Sequence, residues 1–270
     1  MKDAHSVGPE KIIRRKRDGS LEYSRDELTV EEALEIQIGR KTLATTMRTP
    51  GHDDELAAGF LVSEAIVHDR DGIAEISVDH DNRVVITLTD GVKPKLNSAQ
   101  RFGTISSSCG LCGKTSINEI RQNFPAIESA NVRINMETLL SLPDKLRKAQ
   151  SDFARTGGIH AAGIFDSSGE LRTVREDIGR HNAVDKAIGR AFLDHELPLN
   201  DRILLVSGRA SFEIVQKALA AGIPIVASVS APSTLAVEFA RESNQTLIGF
   251  LRPPSFNIYS HIERVIFEPL

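Results

Sequence analysis

Between Arg202 and Phe250 the chain alternates short apolar runs with helix-length segments. Arg202–Val206, Pro224–Ser228 and Gln245–Phe250 read as strands, and Ser211–Ala221 and Pro232–Arg241 as helices. Strands that alternate with helices of this length imply parallel βα units, because the helices must cover the faces of one sheet. The fold class is therefore α/β, and ligands are expected at the carboxyl ends of the strands.

Upstream the pattern changes. Residues 1–20 read as a flexible arm, with the basic run Lys11–Arg17 as a solvated stretch. Leu34–Ile38 and Lys41–Met47 alternate around Gly39-Arg40 as a hairpin, and a second hairpin spans Ile73–Leu88. Between them, Thr49-Pro50-Gly51-His52 breaks the strand and a helix starts, capped by Asp53 or Asp54. Leu56, Phe60, Leu61 and Ala65 share one face of that helix. The polar segment Gly91–Gln100 contains Pro94 and marks a boundary. Residues 21–100 are thus expected as a β-rich unit with one helix, and residues 101–270 as the α/β domain. Within the latter, Met136–Arg155 reads as helix, interrupted or restarted at Pro143. A hairpin turns at Ser167-Ser168-Gly169, and another helix ends near Leu193.

Both cysteines, Cys109 and Cys112, lie in Ser106-Ser107-Ser108-Cys109-Gly110-Leu111-Cys112-Gly113-Lys114. A thiol between a strand and a helix start, with Lys114 nearby, has its pKa lowered, and the thiolate is the nucleophile. The alternatives are a thioredoxin-like dithiol, a zinc site and a P-loop. The first lacks the strand pattern. The second lacks a second cysteine pair, so no bound metal is expected. The third needs a glycine where Ser108 stands. The 270 residues carry a net charge of −4, which does not suggest bulk nucleic-acid binding. No stretch is long enough to span a membrane, and the N-terminus has no signal-peptide pattern, so the protein is expected to be cytoplasmic and not membrane-bound.

The strand ends carry polar turns. Val206 is followed by Ser207-Gly208-Arg209-Ala210-Ser211, then Glu213 and Lys217. Ser228 is followed by Val229-Ser230-Ala231-Pro232-Ser233, and Phe250 by Leu251-Arg252. Hydroxyl-rich turns into helix N-termini suit phosphate, with Arg209 and Arg252 adding grip. The serines serve equally as ordinary caps. His181 and Asp185 stand four apart and share a helix face, either for acid–base work or as a surface pair. His160 is either a site residue or a satisfied buried histidine. The zinc-deaminase signature fails, because Ala162 stands where its Glu belongs and Ser108 where its Pro belongs.

Met47-Arg-Thr-Pro-Gly-His-Asp-Asp-Glu-Leu56, Ser108-Cys-Gly-Leu-Cys-Gly113 and Thr156-Gly-Gly-Ile-His-Ala161 run in this order along the chain. Glu176-Asp-Ile-Gly-Arg-His-Asn-Ala-Val-Asp-Lys186, Ser207–Glu213, Ser228–Ser233 and Thr246–Phe250 follow. Together they resemble the formate dehydrogenase accessory sulfurtransferase family. The resemblance implies a sulfur carrier that takes persulfide sulfur from a cysteine desulfurase. It passes that sulfur to the molybdenum bis(guanine dinucleotide) cofactor of formate dehydrogenase. It further implies a cytidine-deaminase-like α/β domain, Cys109 as the persulfide carrier and Cys112 as an assisting thiol. Cofactor contacts are implied at Phe250, Leu251, Arg252, Pro253, Pro254 and Ser255. Ser207, Arg209, Ser230 and Ser233 are expected to join them, with GDP as a mimic. A homodimer is expected. The chain departs from the family pattern at Pro253-Pro254-Ser255, after the arginine.

Overall fold

The structure is a computed structural model that describes residues 5–79, 81–94, 104–105, 123–128 and 132–267. The cysteine loop, including Cys109 and Cys112, lies outside the described residues.

Two strands, β1 (Val7–Arg15) and β2 (Leu21–Thr29), form an antiparallel ribbon where the sequence reading expected an unordered arm. Charge dilutes its apolar alternation, so the pairing is invisible one strand at a time. Arg14 faces Asp26 at 3.7 Å and Lys16 faces Glu22 at 3.2 Å across the ribbon. The ribbon's base docks through Arg155 on Glu27 and Thr29 on Thr156.

Next come the two expected hairpins, β3 (Glu32–Ile38) with β4 (Lys41–Arg48), and β5 (Ile73–Asp79) with β6 (Arg83–Leu88). Helix α1 (Asp53–Ser63) lies between them in sequence, and β7 (Thr104–Ile105) adds to the edge beside β4, giving the order β5-β6-β3-β4-β7. Neither Asp53 nor Asp54 caps α1. His52 holds the N-cap position with φ 57° and no side-chain capping bond, while Asp53 accepts from the buried Arg48 guanidinium at 2.8 and 2.9 Å. A buried cation needs a carboxylate more than a helix end needs a cap.

After β8 (Ile134–Asn135), helix α2 (Met136–Ala149) runs through Pro143 without interruption. Leu139, Leu142 and Leu146 are all buried, and their docking outweighs the ~3 kcal/mol that an interior proline costs. The break comes at Gln150, before α3 (Ser151–Thr156), whose first N–H groups are received by the Glu176 carboxylate.

The remaining elements are β9 (His160–Asp166), β10 (Leu171–Asp177), α4 (Arg180–Leu193), β11 (Arg202–Val206) and α5 (Phe212–Ala220). They continue as β12 (Ile225–Ser228), α6 (Thr234–Glu242), β13 (Thr246–Arg252), β14 (Ser255–Ser260) and β15 (Val265–Ile266). The central sheet has the order β10-β9-β11-β12-β13-β14. Its middle strands β11, β12 and β13 are parallel as expected, whereas β9 and β14 flank them antiparallel, so the sheet is mixed. Alternation sends Ala162, Ile164, Leu204, Val226 and Leu247 to one face and Ala161, Phe165, Ile203, Leu205 and Ala227 to the other. Leucines of α2 cover the second face. The first face is covered by α4, α5 and α6, and its cluster continues into Leu56 and Leu61 of α1 and Leu34, Ile36, Val84 and Ile86 of the N-terminal sheet. Two sheets therefore share one core.

The joint between them is α1 on α4. A Cβ on Gly59 would lie 1.9 Å from the Asp185 carbonyl oxygen, and one on Gly189 would lie 1.8 Å from that of Glu55. The backbones touch, and Glu55 reaches past the joint to Arg175 on β10. Among the described residues no helix is long and apolar enough to cross a membrane.

Gly189→Ala is expected to destabilise the fold by about 3 kcal/mol, because a backbone neighbour cannot give way; urea unfolding measures this. A second expectation concerns acid. Burial pushes the Glu55 carboxyl up, but Arg175 and His52 outweigh it and bring its pKa from 4.5 to about 2. A lowered folded-state pKa stabilises above the unfolded value, so this contribution is complete above about pH 4.5 and is lost as pH falls toward 2. Glu55→Gln should flatten that part of the stability–pH curve, measured by thermal unfolding between pH 2 and 5.

Candidate functional site

Helix α4 is buried on nearly every side, yet it carries His181, Asn182, Asp185 and Lys186. Buried polar groups must find partners inside the protein, so each of these reaches to another element. Lys186 Nζ lies 2.7 Å from Asp177 Oδ2 at the end of β10, and donates to the Thr49 carbonyl at 2.8 Å. Asp177 also accepts from the backbone N–H groups of Thr49 and Gly179 and from Asn182 Nδ2. Asn182 Nδ2 donates in turn to the Met47 carbonyl. One carboxylate thus joins the β4–α1 loop, the end of β10 and the first turn of α4.

His181 and Asp185 do share a face, but they form neither an acid–base couple nor a surface pair. Both are buried and point to different partners. Asp185 binds Lys217 of α5 at 2.8 Å and accepts from Ser63 at 2.6 Å. Burial pushes the Lys217 amine down, and Asp185 more than reverses this, holding it above its ordinary value. His181 Nε2 lies 2.7 Å from Glu213 and 3.2 Å from Ser211 Oγ. Both contacts fall on the same ring nitrogen, so no serine–histidine–carboxylate relay is formed. Burial pushes the Glu213 carboxyl up, while His181, Lys217 and Arg180 draw it below its ordinary value.

Because β9 runs against β11, its first residue, His160, stands at the same sheet edge as the carboxyl ends of β11, β12 and β13. That edge gathers Asp177, His160, Ser207, Arg209, Ser230 and Arg252, together with Arg180 and His181 from the start of α4. Burial and the nearby positive charges of Arg180, His181 and Arg209 push the His160 imidazole down, with Asp177 opposing them. Gly208 presses on the ring: a Cβ there would lie 3.3 Å from Nδ1. The edge is a concentration of positive charge with a histidine held toward its neutral form, which suits an anionic ligand.

The serines divide between the two readings open to them. Ser233 Oγ caps α6, accepting from Ala236 N at 3.2 Å. Ser207 Oγ accepts from Ala161 N at 2.9 Å. Ser230 holds its turn by accepting, through its carbonyl, from Ser228 Oγ and Phe250 N. Arg209 is exposed. In the C-terminal stretch, β13 continues past the expected end at Phe250 to Arg252, with a register shift between Gly249 and Arg252. Phe250, at φ 51°, is 41 % exposed, whereas Leu251 is fully buried. Arg252 Nε donates to the Val229 carbonyl at 2.9 Å, and Pro253-Pro254 makes the turn into β14, which Ser255 begins. Sequence reasoning missed Arg48, Thr49 and Asn182. Their roles depend on contacts distant in sequence: Thr49 N bonds Asp177, 128 residues on, and Asn182 bonds the Met47 carbonyl, 135 residues back.

The FdhD/NarQ family model matches residues 29–266. A sulfur carrier protein FdhD of Streptomyces coelicolor is 49 % identical over 266 residues, covering 94 % of each chain. Its counterpart in Sulfolobus acidocaldarius is 44 % identical over 253 residues, covering 94 % of this chain and 96 % of its own. Among solved structures, a candidate formate dehydrogenase accessory protein from Desulfotalea psychrophila superposes with a TM-score of 0.79 at 23 % identity. It covers 97 % of this chain and 100 % of its own, and shows a shared fold.

Lys186→Met should lower stability by ~3–5 kcal/mol, because it leaves the Asp177 carboxylate buried without its cation. Urea unfolding of this variant beside Asp177→Asn checks it: the double variant should recover part of the loss, since the two residues act as one unit.

Proposed function

The chain belongs to the FdhD/NarQ family, and we propose that it acts as a sulfur carrier in the maturation of formate dehydrogenase. The thiolate of Cys109 attacks the outer sulfur of a cysteine desulfurase persulfide. A new S–S bond forms on Cys109 and the desulfurase thiolate leaves. Cys112 assists by exchange or resolves a mixed disulfide. Attack of the Cys112 thiolate on Cys109 Sγ then releases the outer sulfur as sulfide to the molybdenum bis(guanine dinucleotide) cofactor, leaving a Cys109–Cys112 disulfide, before that cofactor enters the dehydrogenase. Relatives across most of the chain's length bear the name sulfur carrier protein.

The observation that carries this reading is where the chain stands just before the cysteines. Ile105 on β7 pairs with Thr46 of β4, and Thr46 Oγ1 lies 3.4 Å from Asn182 Oδ1 in the first turn of α4. Cys109 is the fourth residue after Ile105 in the sequence. The chain thus enters the segment that holds the sulfur donor from a point beside the cationic edge, and a carrier needs its donor close to an anionic acceptor. At that edge Arg180, Arg209 and Arg252 hold phosphate, with backbone N–H groups of the turns helping, and Phe250 offers an exposed ring to the cofactor. The α/β domain is of cytidine-deaminase-like type, and the protein works in the cytoplasm as a homodimer.

Intact-mass analysis after incubation with a desulfurase and cysteine should show the addition of one sulfur atom, mapped by peptide analysis to Cys109 and absent from Cys109→Ser. A Cys109→Ser protein that still supports full formate dehydrogenase activity would replace the carrier with a chaperone that only holds the cofactor.

A further inference from the structure

The β1–β2 ribbon has two unlike faces. Strand alternation and the pairing of Ile13 with Tyr23 put Lys11, Ile13 and Arg15 beside Arg25, Tyr23 and Leu21 on one of them. Ile13, Leu21 and Tyr23 are 59 %, 69 % and 86 % exposed, and the three cations around them are exposed as well. None of these cations makes an ion pair among the described residues, whereas on the other face Arg14 meets Asp26 and Lys16 meets Glu22. The first face carries one carboxylate, Glu27 at its base, and Arg155 occupies it. Contiguous exposed apolar side chains rimmed by polar ones mark interaction sites. An apolar centre with a charged rim and with tyrosine and arginine as anchors has the make-up of a protein–protein contact.

The ribbon's place in the fold selects the partner. Val30 N donates to the Ser6 carbonyl at 2.8 Å, and the chain passes from β2 through Val30 and Glu31 directly into β3, so the ribbon is rooted on the N-terminal sheet. β3 begins opposite Arg48, the last residue of β4, and β7 runs parallel to β4 toward that same end. The chain therefore enters the segment that holds Cys109 from the end of the sheet at which the ribbon is rooted. We propose that the face around Ile13 and Tyr23 docks the sulfur-donating enzyme, the cysteine desulfurase, through a patch of carboxylates around an apolar contact. The inference rests on the sulfur-carrier reading above and goes beyond it by assigning the docking surface. The positive charge is local: the chain as a whole carries −4, which opposes an extended polyanion such as nucleic acid or an anionic membrane. A protein with a small acidic patch meets only the three cations of this face, and opposite charges set its register and speed its encounter.

Loading of Cys109 on the full-length protein is followed by intact mass with cysteine and increasing amounts of the organism's own cysteine desulfurase. Tyr23→Ser should raise the desulfurase concentration for half-maximal rate about tenfold and leave the maximal rate unchanged, through loss of one aromatic anchor. Arg25→Glu should act in the same direction and differ less from the parent at high salt. Glu10→Gln, on the opposite face, should load as the parent does. Glutathione persulfide, whose outer sulfur Cys109 takes as the glutathione thiolate leaves, needs no docking and should load every variant alike. Equal desulfurase requirements for the parent, Tyr23→Ser and Arg25→Glu overturn the assignment, as does an equal effect from Glu10→Gln. Unchanged loading, with these variants losing self-association in sedimentation or binding to phosphatidylglycerol vesicles, also overturns it and gives the face to a second copy or to a lipid surface. A parent that glutathione persulfide loads and the desulfurase does not overturns the docking alone. A parent that neither donor loads removes the sulfur-carrier reading, and the docking with it.

Discussion

The pair Asp177–Lys186 is the point on which the architecture depends. Its charges are 0 % and 1 % exposed and 2.7 Å apart. Taking each out of water costs several kcal/mol, a penalty offset only when every remaining lone pair and proton is matched. Here they are matched by backbone groups of Thr49 and Gly179 and by the Asn182 amide. Since Thr49 comes from the N-terminal half, Gly179 and Asn182 from the start of α4, and Asp177 from the central sheet, satisfying the pair sets three segments in one arrangement. Misplacing any of them strands a buried charge. The network contributes specificity of assembly more than net stability.

The glycine contacts between α1 and α4 are the packing counterpart of that network. Backbones approach closely at Gly59 and Gly189, which brings Ser63 and Glu55 within reach of Asp185 and Arg175. With larger residues the helices would stand apart, and the polar bridges across the joint would be too long. The same joint carries β4 to the side of α4, and β4 pairs with β7, the last described strand before the cysteine loop.

At the sheet edge, order and charge work together. Three parallel strands end beside a fourth that begins, so turns, helix starts and His160 converge without long loops. Positive side chains dominate there, and the carboxylates present are occupied: Asp177 by Lys186, Glu213 by His181. Such a field suits an anionic ligand. Arg252 is partly committed to the Val229 carbonyl, which fixes its position beside the turn after β12.

Much of this was legible in the sequence. The alternation from Arg202 to Phe250 determined three parallel strands with helices between them, because apolar periodicity is a local property that burial preserves. Both N-terminal hairpins were legible for the same reason, and so was the family, through the runs around Cys109 and Glu176. Other features were decided by partners distant in sequence. Pro143 stays inside α2 because three leucines dock that helix, and Asp53 leaves the cap position because Arg48 is buried beside it. The N-terminal ribbon exists through pairing that neither strand announces alone. The edge serines were legible as cap or ligand but not as which, since the choice depends on a neighbour such as Ala161 N for Ser207. His181 and Asp185 were visible as a pair by spacing, yet their roles came from Glu213 and Lys217 across the core. Spacing along a helix determines which residues share a face, and only tertiary packing decides what that face meets.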